Sequence, residues 1–228
     1  TAKILNARSI LQRRLRDHGP DTMCSEAVAR LANVVQRLCN AQDIDAVRGL
    51  EGEAAVAYFG TFNSLILTQS EAFHMDGRNR RPPRDPLNAL LSFIYTILAH
   101  DCEGALQSVG LDPQVGFLHA LRPGRSSLAL DVMEEFRAPL ADRLAASLIN
   151  LNQVSPRGFK TTESGAVLME DETRKTVLTA WQTKKQESVI HPFLNEKNEI
   201  GLLPYVQALL LARFLRGDID AYPPFILK

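Results

Sequence analysis

Three groups of side chains in this 228-residue sequence combine the types and spacing that chemistry needs. The first is Glu51, close to Glu53 at the head of an apolar run. At about 100° per residue, Ala54, Ala55, Tyr58, Phe62, Leu65 and Ile66 share the side of Glu51. Glu53 falls opposite, with Gly60 and Ser64, where solvent explains it. An unpaired carboxylate is costly to bury, so Glu51 calls for water or an arginine at the helix end, or for a cation. The second group follows His119. Asp131, Glu134, Glu135 and Asp142 project into one sector of a helix, and Val132, Phe136, Leu140 and Leu144 into the other. Asp131 and Glu134, three apart, are neighbours on that face. Such a face is either solvated or the wall of a cation site, because clustered like charges repel unless something positive lies between them. Two or three carboxylates with one imidazole suit Mg²⁺ or Mn²⁺, and the imidazole shifts the preference toward Mn²⁺. His119 ends the run VGFLH just before the acids and is placed to supply that imidazole. His18, His74 and His191 read as structural residues of loops or exposed helix ends. The third group is His100-Asp101, a dipeptide typical of HD-type metal phosphohydrolases. Adjacent helical residues point about 100° apart, and the other spaced histidines of such a site are not evident.

The elements that must carry these residues are nearly all helical. Apolar spacing predicts helices over 3–17 and 25–40, then one capped by Asp43 or Asp45 that runs to about 69. An arginine- and proline-rich stretch, 76–86, reads as exposed loop, because proline disfavours helix in the residues before it. A strongly apolar helix follows over 87–108 and ends at Gly110. Another spans 127–150 with a bend at Pro139. Residues 159–169 alternate β-formers around Ser164-Gly165 and read as a hairpin. Helices resume over 171–188 and 202–216. The expected fold is all-α, a multi-helix lobe with one small β-hairpin.

Composition narrows the classes further. Basic and acidic residues balance at 26 each, which excludes a uniformly positive surface and leaves local stripes to attract a polyanion. The densest stripe is Arg78, Arg80, Arg81 and Arg84; Arg122, Arg125, Lys184 and Lys185 extend it. No run approaches the roughly 18 apolar residues of a membrane span. The start of the chain lacks the apolar core of a signal peptide. Three cysteines without a CxxC pair read as reduced cytoplasmic thiols.

Several segments, taken in order, resemble one family. GLEGEAAVAYF at 49–59, RNRRPPRDPLNALLSFIYTILAHD at 78–101 and GLDPQVGFLHALRPGRSSLALDVMEEFRAPLADR at 110–143 are similar to the CRISPR-associated adaptation integrases, the Cas-one proteins. KTVLTAWQTKKQE and YVQALLLARFLRGDIDAYPPF fit the same family and are closest to its type I-C branch. The resemblance implies a metal site of Glu51, His119 and Glu134, with Asp131 as an accessory acid. It also implies Mn²⁺ or Mg²⁺ as cofactor and cleavage or transesterification of DNA, by which a spacer is inserted into the repeat array in antiviral defence. Asn88 and Tyr95 match further motif positions, which polar or aromatic core roles explain equally well.

The implied partners are double-stranded spacer and repeat DNA, a second copy in a homodimer, the Cas-two protein and the Cas-four nuclease, in the cytoplasm of a prokaryote. Residues 1–228 would form the helical catalytic domain alone, since the family's β-rich N-terminal domain is not recognisable here. Two other readings stand beside this one: an HD-type phosphohydrolase on His100-Asp101, and a non-catalytic helical DNA-binding module.

Overall fold

Aspartates start three of the helices. Asp21 accepts the backbone N–H of Cys24 at 2.9 Å, Asp43 that of Ala46 at 2.7 Å, and Asp85 that of Asn88 at 2.7 Å. Each satisfies a donor that a helix start leaves unpaired. The computed structural model describes residues 1–79 and 81–227. Helices α1 (Ala2–His18), α2 (Thr22–Leu38) and α3 (Ile44–Gly60) pack in succession, α1 on α2 and α2 on α3. Of the two aspartates offered as the cap of α3, Asp43 serves, and Asp45 pairs instead with Arg48 at 2.9 Å. This helix stops at Gly60, well short of the expected 69. Thr61 turns its hydroxyl back onto Tyr58 O at 3.0 Å. Asn63 then pairs its side-chain amide with both backbone groups of Met75. Gly, Thr, Asn and Ser compete poorly for helix, so apolar spacing alone overran the end.

Helix α4 (Pro86–Ser108) is the centre of the fold. Leu87, Leu90, Leu91, Ile94, Leu98, Cys102 and Leu106 are all fully buried, at the three- and four-residue steps of a helix enclosed on most sides. It packs against α5 (Ser127–Met133), α6 (Arg143–Asn150), the segment between them, and α8 (Leu203–Leu215). Asn88, also fully buried, fixes the arginine loop to the start of α4. Its side chain donates to Gly77 O at 2.9 Å and accepts from Asn79 N at 3.1 Å.

The helix expected over 127–150 is broken. Residues 134–136 form a turn, and Arg137–Asp142 winds as a π-helix before α6 resumes. Pro139 cannot donate to the carbonyl four residues earlier, and its ring crowds that carbonyl. The freed acceptor is Glu135 O, which takes the side-chain N–H of Asn6 from α1 at 2.8 Å. The break turns the acids of this stretch away from one shared face.

The expected hairpin is present: β1 (Phe159–Thr161) pairs antiparallel with β2 (Val167–Met169), with Gly165 at positive φ in the turn. A second hairpin, β3 (Ser188–Ile190) with β4 (Lys197–Glu199), follows α7 (Asp171–Gln186). Its second strand, KNE, contains no strong β-former, so alternation could not reveal it. Among the described residues no helix is long and apolar enough to cross a membrane.

Candidate metal centre

Asp131 gathers the loop that carries His119. Its carboxylate accepts three successive backbone N–H groups, from Phe117 at 2.6 Å and from Leu118 and His119 at 3.0 Å each, and meets His119 Nδ1 at 2.6 Å. Burial pulls the Asp131 carboxyl upward, but these four donors outweigh it and hold the group below its ordinary value. The loop must come close for this. A Cβ on Gly116 would lie 2.7 Å from Ser127 Cβ and 3.0 Å from Asp131 Oδ2, so the glycine of the GFLH motif is a steric requirement. Arg48, one turn before Glu51 on α3, donates to Leu118 O through Nε at 3.1 Å and a terminal nitrogen at 2.9 Å. The His119 loop is thus tied both to the helix that bears Glu51 and to the acid one turn before Glu134.

Lys3 joins the two glutamates. Its ammonium touches Glu51 Oε1 and lies 2.9 Å from Glu134 Oε2. The other oxygen of Glu134 receives Arg137 at 2.7 Å. Arg137 is itself fixed, its guanidinium 4.4 Å from the Tyr95 ring centre and 5.8 Å from that of Phe59. Burial raises the Glu134 carboxyl, but the charges of Arg137 and Lys3 prevail and hold it at about 2. Glu53 pairs with Arg37 at 2.8 Å and Arg30 at 3.4 Å across α2, an ion-paired surface position where the sequence suggested only solvent.

The remaining acids of the predicted sector do other work. Asp142 is buried and accepts both the Tyr58 hydroxyl, at 3.0 Å, and the Tyr95 hydroxyl. Glu135 accepts Gln207 Nε2 at 2.8 Å, the Tyr222 hydroxyl at 2.7 Å and Phe225 N at 2.7 Å. His191, read as a structural residue of a loop or exposed helix end, is structural but fully buried, and meets Gln207 Oε1 at 2.9 Å. It belongs to the fastening of the C-terminal segment.

His100 and Asp101 point apart. His100 is exposed, 3.6 Å from Glu103, whereas Asp101 accepts Trp181 Nε1 and Lys185 Nζ, each at 2.9 Å. The paired geometry of an HD site is absent from this dipeptide. Among the basic residues, Arg81, Arg84 and Arg122 are exposed. Arg78 turns inward to Asn88 and Ser92, Lys184 pairs with Glu187, Arg125 is half-buried, and Arg80 lies outside the described residues. Lys3, Arg137 and Arg48 are the members that the sequence reading missed. Arg137 had a usable signal, three residues after Glu134; Lys3 had none beyond its place on an amphipathic helix.

Among the described residues, no three carboxylate, imidazole or thiol groups are already gathered around one point at ligand distance. The ammonium of Lys3 lies between Glu51 and Glu134, and His119 engages Asp131. Two carboxylates and an imidazole are nevertheless donor types that suit a divalent ion. Two carboxylates already hold a cation between them, and an imidazole bonded through Nδ1 to a carboxylate leaves Nε2 for a metal, the usual arrangement of ligating histidines.

With that geometry in place, comparison with known proteins is informative. The family model described as CRISPR associated protein Cas1 matches residues 1–183. The CRISPR-associated endonuclease Cas1 2 of Rhodospirillum rubrum is 55% identical over 233 residues, covering 99% of this chain and 68% of that protein. A Cas4/Cas1 fusion from the same organism is 38% identical over 99% of this chain and 39% of its own length. In a solved Cas6-RT-Cas1–Cas2 complex, one chain superimposes with a TM-score of 0.83 at 26% identity, over all of this chain and 24% of that one. The chain belongs to the Cas1 family of CRISPR-associated proteins.

Proposed function

We propose that this chain is the helical catalytic lobe of a metal-dependent DNA endonuclease and integrase of CRISPR adaptation, of the type I-C branch. The single observation that carries the metal reading is the cation already held between Glu51 and Glu134, with His119 locked by Asp131 one helical turn from Glu134. In this reading Glu51, Glu134 and the Nε2 of His119 hold Mn²⁺ or Mg²⁺. A divalent ion at this position supplies charge stabilisation to a phosphodiester and lowers the pKa of an attacking oxygen.

The protein's own groups supply the rest. Asp131 fixes the tautomer and orientation of His119. Arg137, stacked on Tyr95, keeps Glu134 ionised. Arg81, Arg84 and Arg122 present exposed charge for the DNA backbone, where phosphate contacts position a duplex without reading sequence. Water as nucleophile gives strand cleavage; the 3′-hydroxyl of a spacer gives transesterification into the repeat.

The relatives support partners of two kinds. The fused Cas4 of one relative and the Cas2 named in the solved complex favour this chain working beside proteins of those types. A second copy, double-stranded DNA and a prokaryotic cytoplasm complete the reading. The test is Mn²⁺ titration calorimetry on the intact protein and its Glu51→Ala variant, with strand transfer into a repeat-containing plasmid measured in parallel. Glu51→Ala should lose tight Mn²⁺ binding together with cleavage and joining. If both binding and joining survive in that variant, the metal reading is wrong.

A further inference from the structure

Charge around the paired glutamates is balanced by side chains alone. Glu51 and Glu134 bring two negative charges, and Lys3 and Arg137 bring two positive ones. The two cations differ in how they are held. Arg137 is enclosed, stacked on Tyr95 and Phe59 and bonded to Glu134 Oε1. Lys3 stands in the first turn of α1, with a side chain 21% exposed. Among the described residues its side chain has just two ion-pair partners, Glu51 and Glu134. The helix does not depend on it for anchoring. Asn6, one turn further along α1, fixes the helix by donating to Glu135 O at 2.8 Å and Phe225 O at 2.9 Å and accepting Leu227 N at 2.9 Å.

A lysine ammonium and a divalent ion cannot share these two carboxylates comfortably. With both present, four positive charges would face two negative ones at contact distances, and like charges repel. With the ammonium moved away, the ion and Arg137 leave the site at net +1, a charge suited to a phosphodiester. A lysine on a flexible four-carbon stem can make that exchange without moving the backbone.

We propose that Lys3 is a built-in counter-ion of the metal site, which holds Glu51 and Glu134 together when no metal is bound and must swing out for a divalent ion to enter. It is a positioning residue that competes with the metal, and the proposal rests on the metal reading given above. Its consequence is a pair of glutamates that stays together without metal and binds the ion more weakly than the carboxylates alone would.

The experiment has two arms on the intact protein. In the first, Mn²⁺ affinity is measured by calorimetry for wild type, Lys3→Met, Lys3→Arg and Glu51→Ala. Lys3→Met keeps the apolar stem and loses the charge, and should bind Mn²⁺ at least tenfold more tightly; Lys3→Arg should stay close to wild type. In the second arm, wild type alone is labelled with an amine-reactive ester, and Lys3 modification is followed by mass spectrometry. Saturating Mn²⁺ should raise the Lys3 labelling rate severalfold, a result that does not depend on any variant folding. Equal or weaker Mn²⁺ binding by Lys3→Met, or Lys3 labelling indifferent to Mn²⁺, overturns the proposal while leaving the metal reading intact, provided that wild type binds Mn²⁺ and Glu51→Ala does not. If neither wild type nor Lys3→Met binds Mn²⁺, both readings fall together.

Discussion

Glu134 meets two cations, Lys3 and Arg137, whereas the hydrogen bonds that Glu135, one residue along, accepts among the described residues come from neutral donors: an amide of Gln207, the hydroxyl of Tyr222 and the backbone of Phe225. The carboxyls respond in opposite directions. Burial raises both, but charge overrides it at Glu134 and holds that group at about 2. At Glu135 the neutral donors only partly offset burial, and the group stays above its ordinary value. A carboxylate that shares a lysine ammonium can exchange that cation for another. A carboxylate held by dipoles of the fold cannot leave without stranding them. The break at Pro139 makes this division possible, because it stops 131–142 from presenting one continuous helical face.

The sharpest way to break the comparison is a matched pair of amides. If Glu134 is a metal ligand as proposed, Glu134→Gln should lower strand transfer by more than about 1000-fold, beyond the 10- to 100-fold expected for an outer partner of a metal ligand. Glu135→Gln should keep that activity within a few-fold. It should instead lose roughly 2 kcal/mol of stability in denaturant unfolding, since Gln207, Tyr222 and Phe225 would face an amide with one acceptor fewer. Equal activity losses in the two variants would mean that the neighbouring acids act as one unit.

Asp131 offers an intermediate case, since it is held by backbone dipoles yet holds His119. Asp131→Asn should weaken Mn²⁺ binding about 10- to 100-fold in calorimetry. Catalysis at saturating Mn²⁺ should fall much less than in Glu134→Gln. A Mn²⁺ affinity equal to wild type would show that the His119 loop keeps its shape without the carboxylate.

These contrasts show what a sequence can carry. Glu51, His119, Asp131 and Glu134 were singled out by periodicity and by local motifs of a family resemblance; the structure joins Glu51 to Glu134 through Lys3, and His119 to Asp131. The helices were legible through apolar spacing, and the caps at Asp21, Asp43 and Asp85 follow from elementary donor accounting. Lys3 and Glu51 are 48 residues apart, and Asn6 and Leu227 are 221 apart. No periodicity encodes such pairings. Ideal helix geometry also misled at 134–142, where it placed Glu135 and Asp142 beside Glu134 on one wall. Pro139 was foreseen as a bend, but not the π-helix there, nor that Asn6 of α1 donates to the freed carbonyl of Glu135.

The smallest expected effect tests whether the same contrast extends into the core. Asp142 accepts two tyrosine hydroxyls and feels Arg137 at longer range, so it mixes both modes of support. Burial dominates and raises its carboxyl above the ordinary 3.8, with Arg137, Tyr95 and Tyr58 only partly opposing it. The folded protein therefore binds this proton more tightly than the unfolded chain does. The stability this contributes is fully present below pH 3.8 and is lost as pH rises through the raised folded value. Glu134 has the opposite sign: its contribution is present above 4.5 and lost as pH falls toward about 2. Asp142→Asn cannot ionise, and it keeps one acceptor and the shape of the side chain. Unfolding both proteins in urea at a series of pH values and subtracting one from the other cancels the shared Glu134 contribution. The difference should move in favour of Asp142→Asn as pH rises from about 3 to 7, by less than the loss in Glu135→Gln. A difference that moves toward wild type over that range would place Asp142 with Glu134, as a carboxylate that Arg137 keeps ionised despite its burial.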